Sequence, residues 1–152
     1  MTDSLLTSLG LPGAVLVIGF IAGMFPIVSI EFFLLAVSYK LDSPDSLPLL
    51  VVLGAVGHQI AKTICFFAGV GALERGPMKA RVDKLRTRIE RWNRYPRLFL
   101  LLGASFGIPP LYVIAFIAEP VMGLRFVPFT AICFGARLAR YGVFAAVPWL
   151  AL

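Results

Sequence analysis

The chain has 152 residues, of which 59% are hydrophobic and 14% charged, and its mean hydropathy is +0.90. Average globular chains carry about 25% charged residues, so composition argues against a water-packed soluble fold and for a single membrane domain over residues 1–152. The formal net charge of +6 gathers in one stretch, where a membrane protein accounts for it without nucleic acid.

The first nine residues, MTDSLLTSL, lack a basic n-region, and no A-x-A-like site follows. The N-terminal segment is therefore expected to stay in the chain. Residues 11–38 form an apolar stretch, broken by Pro26 and followed by Ser29 and Glu31. Proline removes a backbone donor, so one clean span is not expected there. The loop 39–46 sets Lys40 against Asp42 and Asp45. Residues 47–73 read as a continuous span carrying His58 and Lys62.

Residues 75–97 are basic: Arg75, Lys79, Arg81, Lys84, Arg86, Arg88, Arg91, Arg94 and Arg97 stand against Asp83 and Glu90. Met78, Val82, Leu85, Ile89 and Trp92 recur at helical spacing, with Pro77 at a suitable start and Pro96 at a suitable end. An apolar stripe opposite a basic face fits a helix lying on an anionic leaflet. Lys79, Arg81, Lys84, Arg86, Arg88, Arg91, Trp92 and Arg94 would meet the lipid surface. The alternative is a solvated connector that packs its stripe on the rest of the protein. The positive-inside rule puts this stretch in the cytoplasm and the 39–46 loop opposite.

Residues 98–124 are broken by Pro109-Pro110 and again by Glu119-Pro120. After almost no loop, residues 126–152 read as a second continuous span, carrying Arg137 and Arg140. Each of the four apolar stretches exceeds the roughly 20 residues that cross a bilayer core.

One pattern occurs twice. Residues 19–26 and 103–110 both read Gly-x-x-x-Gly-x-x-Pro, and residues 57–62 and 135–140 both read Gly-x-x-(Ile/Leu)-Ala-(Lys/Arg). Two broken segments at corresponding places in two halves suggest a transporter-like repeat. The expected fold is all-α and integral to the membrane. It has two inverted repeats, 11–73 and 98–152, joined by the 75–97 connector. Each repeat would be a re-entrant helical hairpin followed by a transmembrane helix. Four full spans are the alternative topology, and the charge bias does not separate the two.

Glu31, His58, Lys62, Glu119, Arg137 and Arg140 lie in apolar sequence. A charge at bilayer depth costs roughly 2.5–3.5 kcal/mol on insertion scales, and such residues pair or line a wet cavity. They are the candidates for a polar path, or for static pairs that hold hairpins to helices. The repeat is unequal here: Lys62 and Arg140 correspond, but Ala115 stands where Glu31 would have its counterpart. Gly19, Gly23, Gly57, Gly103, Gly107 and Gly135 are read as helix-packing positions. Cys65 and Cys133 read as buried apolar residues. There is no metal cluster, nucleophile elbow or phosphate loop, so neither an enzyme nor a cofactor is expected.

These residues resemble the DedA/VTT (SNARE-associated) membrane protein superfamily, especially its short YqaA-like members. The resemblance runs over about residues 20–145. It rests on Phe25-Pro-Ile-Val-Ser-Ile-Glu31, Gly54-Ala-Val-Gly57, Arg91-Trp-Asn-Arg-Tyr-Pro-Arg97, Gly107-Ile-Pro-Pro110, Met122 with Phe126, and Gly135 to Arg140-Tyr141. It implies two inverted hairpin-plus-span units in a prokaryotic plasma membrane, and lipid scrambling or proton-coupled transport. The family often carries an arginine before the second Ile-Pro, where this chain has Ser105-Phe106-Gly107. The resulting expectation is a protein that moves a lipid or lipid-linked substrate between leaflets, with anionic lipids as partners and a homo-oligomer plausible. An ion-coupled small-molecule exporter and a non-transporting interaction protein are the alternatives.

Overall fold

The structure is a computed structural model that describes residues 2–25, 28–73, 79–80, 83–84, 98, 100–103 and 111–150. Its described elements are helical: α1 (Thr2–Met24), α2 (Ile30–Ser38), a 3-10 turn (Pro44–Ser46), α3 (Leu47–Leu73), α4 (Leu111–Ile117) and α5 (Phe126–Leu150). At about 1.5 Å per residue, 27 residues give α3 about 40 Å and 25 give α5 about 37 Å. Both exceed the hydrocarbon core of about 30 Å. They are the two described helices long and apolar enough to cross a membrane.

Proline placement explains why these two helices run through. Pro48 and Pro128 fall in first turns, where backbone N–H groups have no intrahelical acceptor anyway. Pro148 falls in the last turn of α5. In α1 the proline problem is solved differently. Helix runs from Thr2, beyond the expected start at 11, but Gly10 leaves helical geometry at φ 67 and ψ 170, two residues ahead of Pro12. A glycine reaches that φ without a Cβ penalty, so the helix restarts with Pro12 in its first turn. The apolar part of α1 is then Gly10–Met24.

The first apolar stretch is two helices. Ser29 caps α2, its Oγ accepting from Phe32 N at 3.5 Å. Pro26 lies just outside the described residues, in the join between Met24 and Ile30.

The chain divides into two compact units, and each long helix gives one half to each of them. The first unit holds residues 1–61 and 137–152, the second 62–136. The repeat boundaries expected from sequence, 11–73 and 98–152, do not coincide with these units, because helix packing follows space and not chain order.

In the first unit α1 and α3 lie side by side and run in the same direction. Val15 and Gly19 meet Gly54, Leu16 meets Gly57, and Gly23 meets His58 and Ala61. The approach is close. A Cβ on Gly19 would sit 2.5 Å from the Gly54 carbonyl oxygen, and one on Gly57 would overlap the Leu16 carbonyl. Beyond Met24 the chain turns back, since Ile30 packs on Gly19 and Gly54. Helix α2 then runs alongside α5 in the same direction. Glu31 pairs with Arg140 at its start, and at its end Ser38 bonds the Ala145 carbonyl and receives Trp149 Nε1.

The second unit is a hydrophobic core around Phe66, Leu100, Ile114, Ala118, Phe129 and Cys133. Phe66 lies 4.9 Å from Phe129 and 5.5 Å from Phe126 between ring centroids. Such aromatic pairs contribute about 0.5–1.5 kcal/mol each beyond area burial. Helix α4 ends in a turn where Val121 and Met122 N–H groups both bond the Ile117 carbonyl, and Gly123 takes φ 64. Glu119-Pro120 sit inside that turn, so the third apolar stretch is interrupted there too.

Candidate functional site

The buried stripe of α5 is Phe129, Cys133, Arg137, Tyr141, Ala145 and Pro148, one residue per turn. Helical periodicity thus forces Arg137 inward, with 2% of its surface exposed. Arg140 sits three residues on, at the edge of the stripe. On α3, His58 and Gln59 fall near the middle of the 27-residue helix. Glu31 enters from the first turn of α2, where the positive end of the helix dipole favours a carboxylate.

Four polar contacts in the first unit involve these side chains. Arg140 Nε lies 3.0 Å from Glu31 Oε1. Ser29 Oγ donates to the other carboxylate oxygen, Oε2, at 2.8 Å. Arg137 Nη1 donates to Gln59 Oε1 at 2.8 Å. The Tyr141 hydroxyl and His58 Nδ1 share a hydrogen bond of 2.7 Å. The ion pair is partly open, with the Arg140 side chain 32% and the Glu31 side chain 15% exposed. The Gln59–Arg137 contact is closed, since Gln59 is 8% exposed.

The six charged or titratable residues singled out in the sequence are thus divided. Glu31, His58, Arg137 and Arg140 come together in the first unit; Lys62 and Glu119 belong to the second. Lys62 is buried at 4% exposure on α3. Glu119 lies in the turn after α4, its carbonyl accepting from Gly123 N at 3.0 Å. Gly19, Gly23 and Gly57 lie at the α1–α3 crossing, and Gly103 is buried. Gly135 is different from the expectation. It is exposed, and nothing among the described residues lies within 4 Å of where its Cβ would be. Its place on the outer stripe of α5, in phase with Ala131 and Ala139, is the reason.

Lys79 and Lys84 lie on helical backbone and are exposed. Arg81, Arg86, Arg88, Arg91, Trp92 and Arg94, with Gly107, Pro109 and Pro110, lie outside the described residues, and so does most of the expected surface helix.

Sequence reading missed Gln59, Tyr141 and the Ser38–Trp149 junction. A signal existed for two of them. Gln59 is the polar residue between His58 and Ile60 in the repeated phrase, and Tyr141 follows Arg140 in the phrase that carries the family resemblance. Ser38 and Trp149 are 111 residues apart, and no local pattern joins them.

Compared with protein-family models, curated proteins and solved structures, the chain has no match in any of the three, so the DedA/VTT resemblance rests on its motifs.

Proposed function

We propose that this protein moves a lipid or lipid-linked molecule between the leaflets of a membrane, along a polar path through Glu31, Arg140, His58, Tyr141, Arg137 and Gln59. The observation that carries this reading is the Glu31–Arg140 ion pair, placed near the middle of a helix long enough to cross the bilayer. Holding charges at that depth is costly, and membrane proteins keep them mainly where polar groups or ions must pass. The partial exposure of this pair favours a path over a sealed brace.

The reading includes a re-entrant first hairpin. Two features support it. The chain turns back after Met24, and the nine residues of α2 reach only about 13 Å, less than half the hydrocarbon core. Irregular backbone between α1 and α2 is tolerated at that depth where protein or a wet cavity surrounds it. An inverted second copy is part of the proposal. It is supported by the repeated phrases and by the two long helices each dividing between the two units. The membrane lipids at the basic 75–97 segment would be anionic.

The test is movement of fluorescent phospholipid in proteoliposomes holding the full chain, read by chemical quenching of the outer leaflet. Wild type should accelerate exchange over protein-free vesicles, and Glu31→Gln with Arg140→Gln should abolish the gain. No acceleration by wild type would remove the lipid reading. Acceleration that survives both substitutions would remove these residues from the path. Flux of small cations under a pH gradient, without lipid movement, would favour an ion-coupled exporter.

A further inference from the structure

Gly10 divides α1 into two helical parts, its own backbone standing at φ 67 and ψ 170. Crowding does not demand glycine there. Among the described residues only Pro12, at 3.8 Å, comes within 4 Å of where a Cβ would be. The demand is conformational, since a left-handed φ is free of penalty for glycine. The level of this bend can be read from the α1–α3 crossing. Gly19 meets Gly54, Phe20 meets Gly57 and Gly23 meets Ala61, offsets of 35, 37 and 38 residues. Two parallel helices rise equally per residue, so an offset of about 37 carried back sets Gly10 level with Leu47, where α3 begins. Just ahead of Leu47 runs the polar loop, with Lys40, Asp42, Ser43 and Asp45 exposed. Gly10 thus bends the chain at the level where α3 leaves the apolar layer, on the side of the 39–46 loop.

The eight residues ahead of the bend, 2–9, are helical. Helical spacing of their sequence puts Leu5, Leu6 and Leu9 on one face and Asp3, Ser4, Thr7 and Ser8 on the other. So short a helix, with five of its eight residues Ser, Thr or Asp, is marginal in water by itself. Continued straight through Gly10, it would carry its leucines up to about 12 Å beyond the level of Leu47 into water. Bent at Gly10, it can lie along the boundary with its leucines in the apolar layer. Charge indicates which lipid surface it suits. Asp3 is its one charged side chain, so it has no cation for an anionic headgroup, in contrast to the 75–97 segment. An apolar face below a hydroxyl-rich one fits insertion among zwitterionic headgroups.

We propose that residues 2–9 are an interfacial helix lying on the leaflet at the side of the 39–46 loop, with Leu5, Leu6 and Leu9 inserted among zwitterionic lipids and Gly10 as the bend that seats it. The proposal rests on the membrane placement in the reading above, and not on lipid movement. It gives α1 an anchor at one boundary. From there Gly10–Met24 reaches about 22 Å, short of the far side of a hydrocarbon core of about 30 Å. The interfacial helix therefore sets the depth at which the turn after Met24 is held.

The test is spin labelling of the full chain in phosphatidylcholine vesicles, with Cys65 and Cys133 replaced by Ala and one cysteine introduced at a time. Collisions with oxygen report lipid, and collisions with a water-soluble nickel chelate report water. Labels at Leu5→Cys, Leu6→Cys and Leu9→Cys should show an oxygen-to-nickel ratio severalfold above those at Ser4→Cys, Thr7→Cys and Ser8→Cys. Adding phosphatidylglycerol should leave this pattern unchanged. Where a leucine variant does not fold, the three polar sites carry the test, since each should still contact the chelate. A pattern that forms only with phosphatidylglycerol overturns the zwitterionic surface. Uniformly water-like ratios overturn the interfacial helix, and so does a steady rise toward oxygen that marks α1 as one straight span. Leucine sites closed to both reagents overturn it as well, because protein then covers that face. An impermeant reductant should bleach the Ser4→Cys and Asp42→Cys labels to the same extent; unequal bleaching overturns the shared side. Val143→Cys, on the exposed face of α5, separates the two readings. An oxygen-rich label there without the residue 2–9 pattern removes the interfacial helix alone, and a nickel-accessible one removes the membrane placement with it.

Discussion

The α1–α3 crossing yields a sharp expectation for two glycine-to-alanine substitutions. At Gly57 the added methyl would overlap the Leu16 carbonyl and lie 2.9 Å from the Phe20 nitrogen. Both obstacles are backbone, and neither can rotate away. The helices must separate, which also loosens the Gly19–Gly54 and Gly23–Ala61 contacts one turn to either side. Overpacking of this kind costs about 1–3 kcal/mol. Gly135→Ala is the control, since its methyl enters open space. In a soluble helix both changes would gain up to about 1 kcal/mol from helix propensity. In a micelle or bilayer the unfolded state keeps its helices, because unpaired backbone groups are too costly there, so that gain largely cancels. Gly57→Ala should therefore be less stable by about 1–3 kcal/mol and Gly135→Ala close to wild type. Reversible unfolding in mixed micelles, followed by circular dichroism and tryptophan fluorescence, measures both. Equal stability of the two variants would refute the close crossing and the parallel α1–α3 arrangement drawn from it.

Two other expectations follow from the polar contacts. Removing one partner of a buried ion pair costs about 3–5 kcal/mol; with Arg140 32% exposed, Glu31→Gln should cost less, about 1–3 kcal/mol. The double variant with Arg140→Gln should cost less than the sum of the singles, a coupling read from a double-mutant cycle of unfolding free energies; additivity would mean that the pair does not form. At the other end of α2, Ser38→Ala removes both of its hydrogen bonds and should destabilise by about 1–2 kcal/mol. Trp149→Phe should cost less in that background than in wild type, by the same kind of cycle, and equal costs would show that the Nε1 bond to Ser38 carries no energy.

The legibility of the site was uneven for reasons that particular residues make plain. Glu31, His58, Arg137 and Arg140 stood out because a charge or an imidazole in apolar sequence is visible without coordinates. Their pairing was not legible. Arg137 and Arg140 are three residues apart and equally basic, yet one faces a neutral amide and the other a carboxylate. That difference comes from about 60° of rotation around α5, since three residues advance a helix 300°. Lys62 illustrates the opposite outcome. It matches Arg140 in the repeated phrase, yet Lys62 is 4% exposed where the Arg140 side chain is 32% exposed.

Composition and periodicity were enough to anticipate the helical character of the described residues, two long apolar helices among them, the breaks between Met24 and Ile30 and at Glu119-Pro120, and the residues too polar for their surroundings. Those properties are local: they depend on propensity, on proline geometry and on the cost of a charge in an apolar segment. Which helix lies against which, the return of α2 along α5, and the choice of Gln59 and Tyr141 as partners are non-local. They depend on glycine surfaces that let backbones approach, and on side chains up to 111 residues apart meeting in space. Short-range pattern carries no record of such contacts, because each is set by the joint packing of several helices and not by the residues beside it.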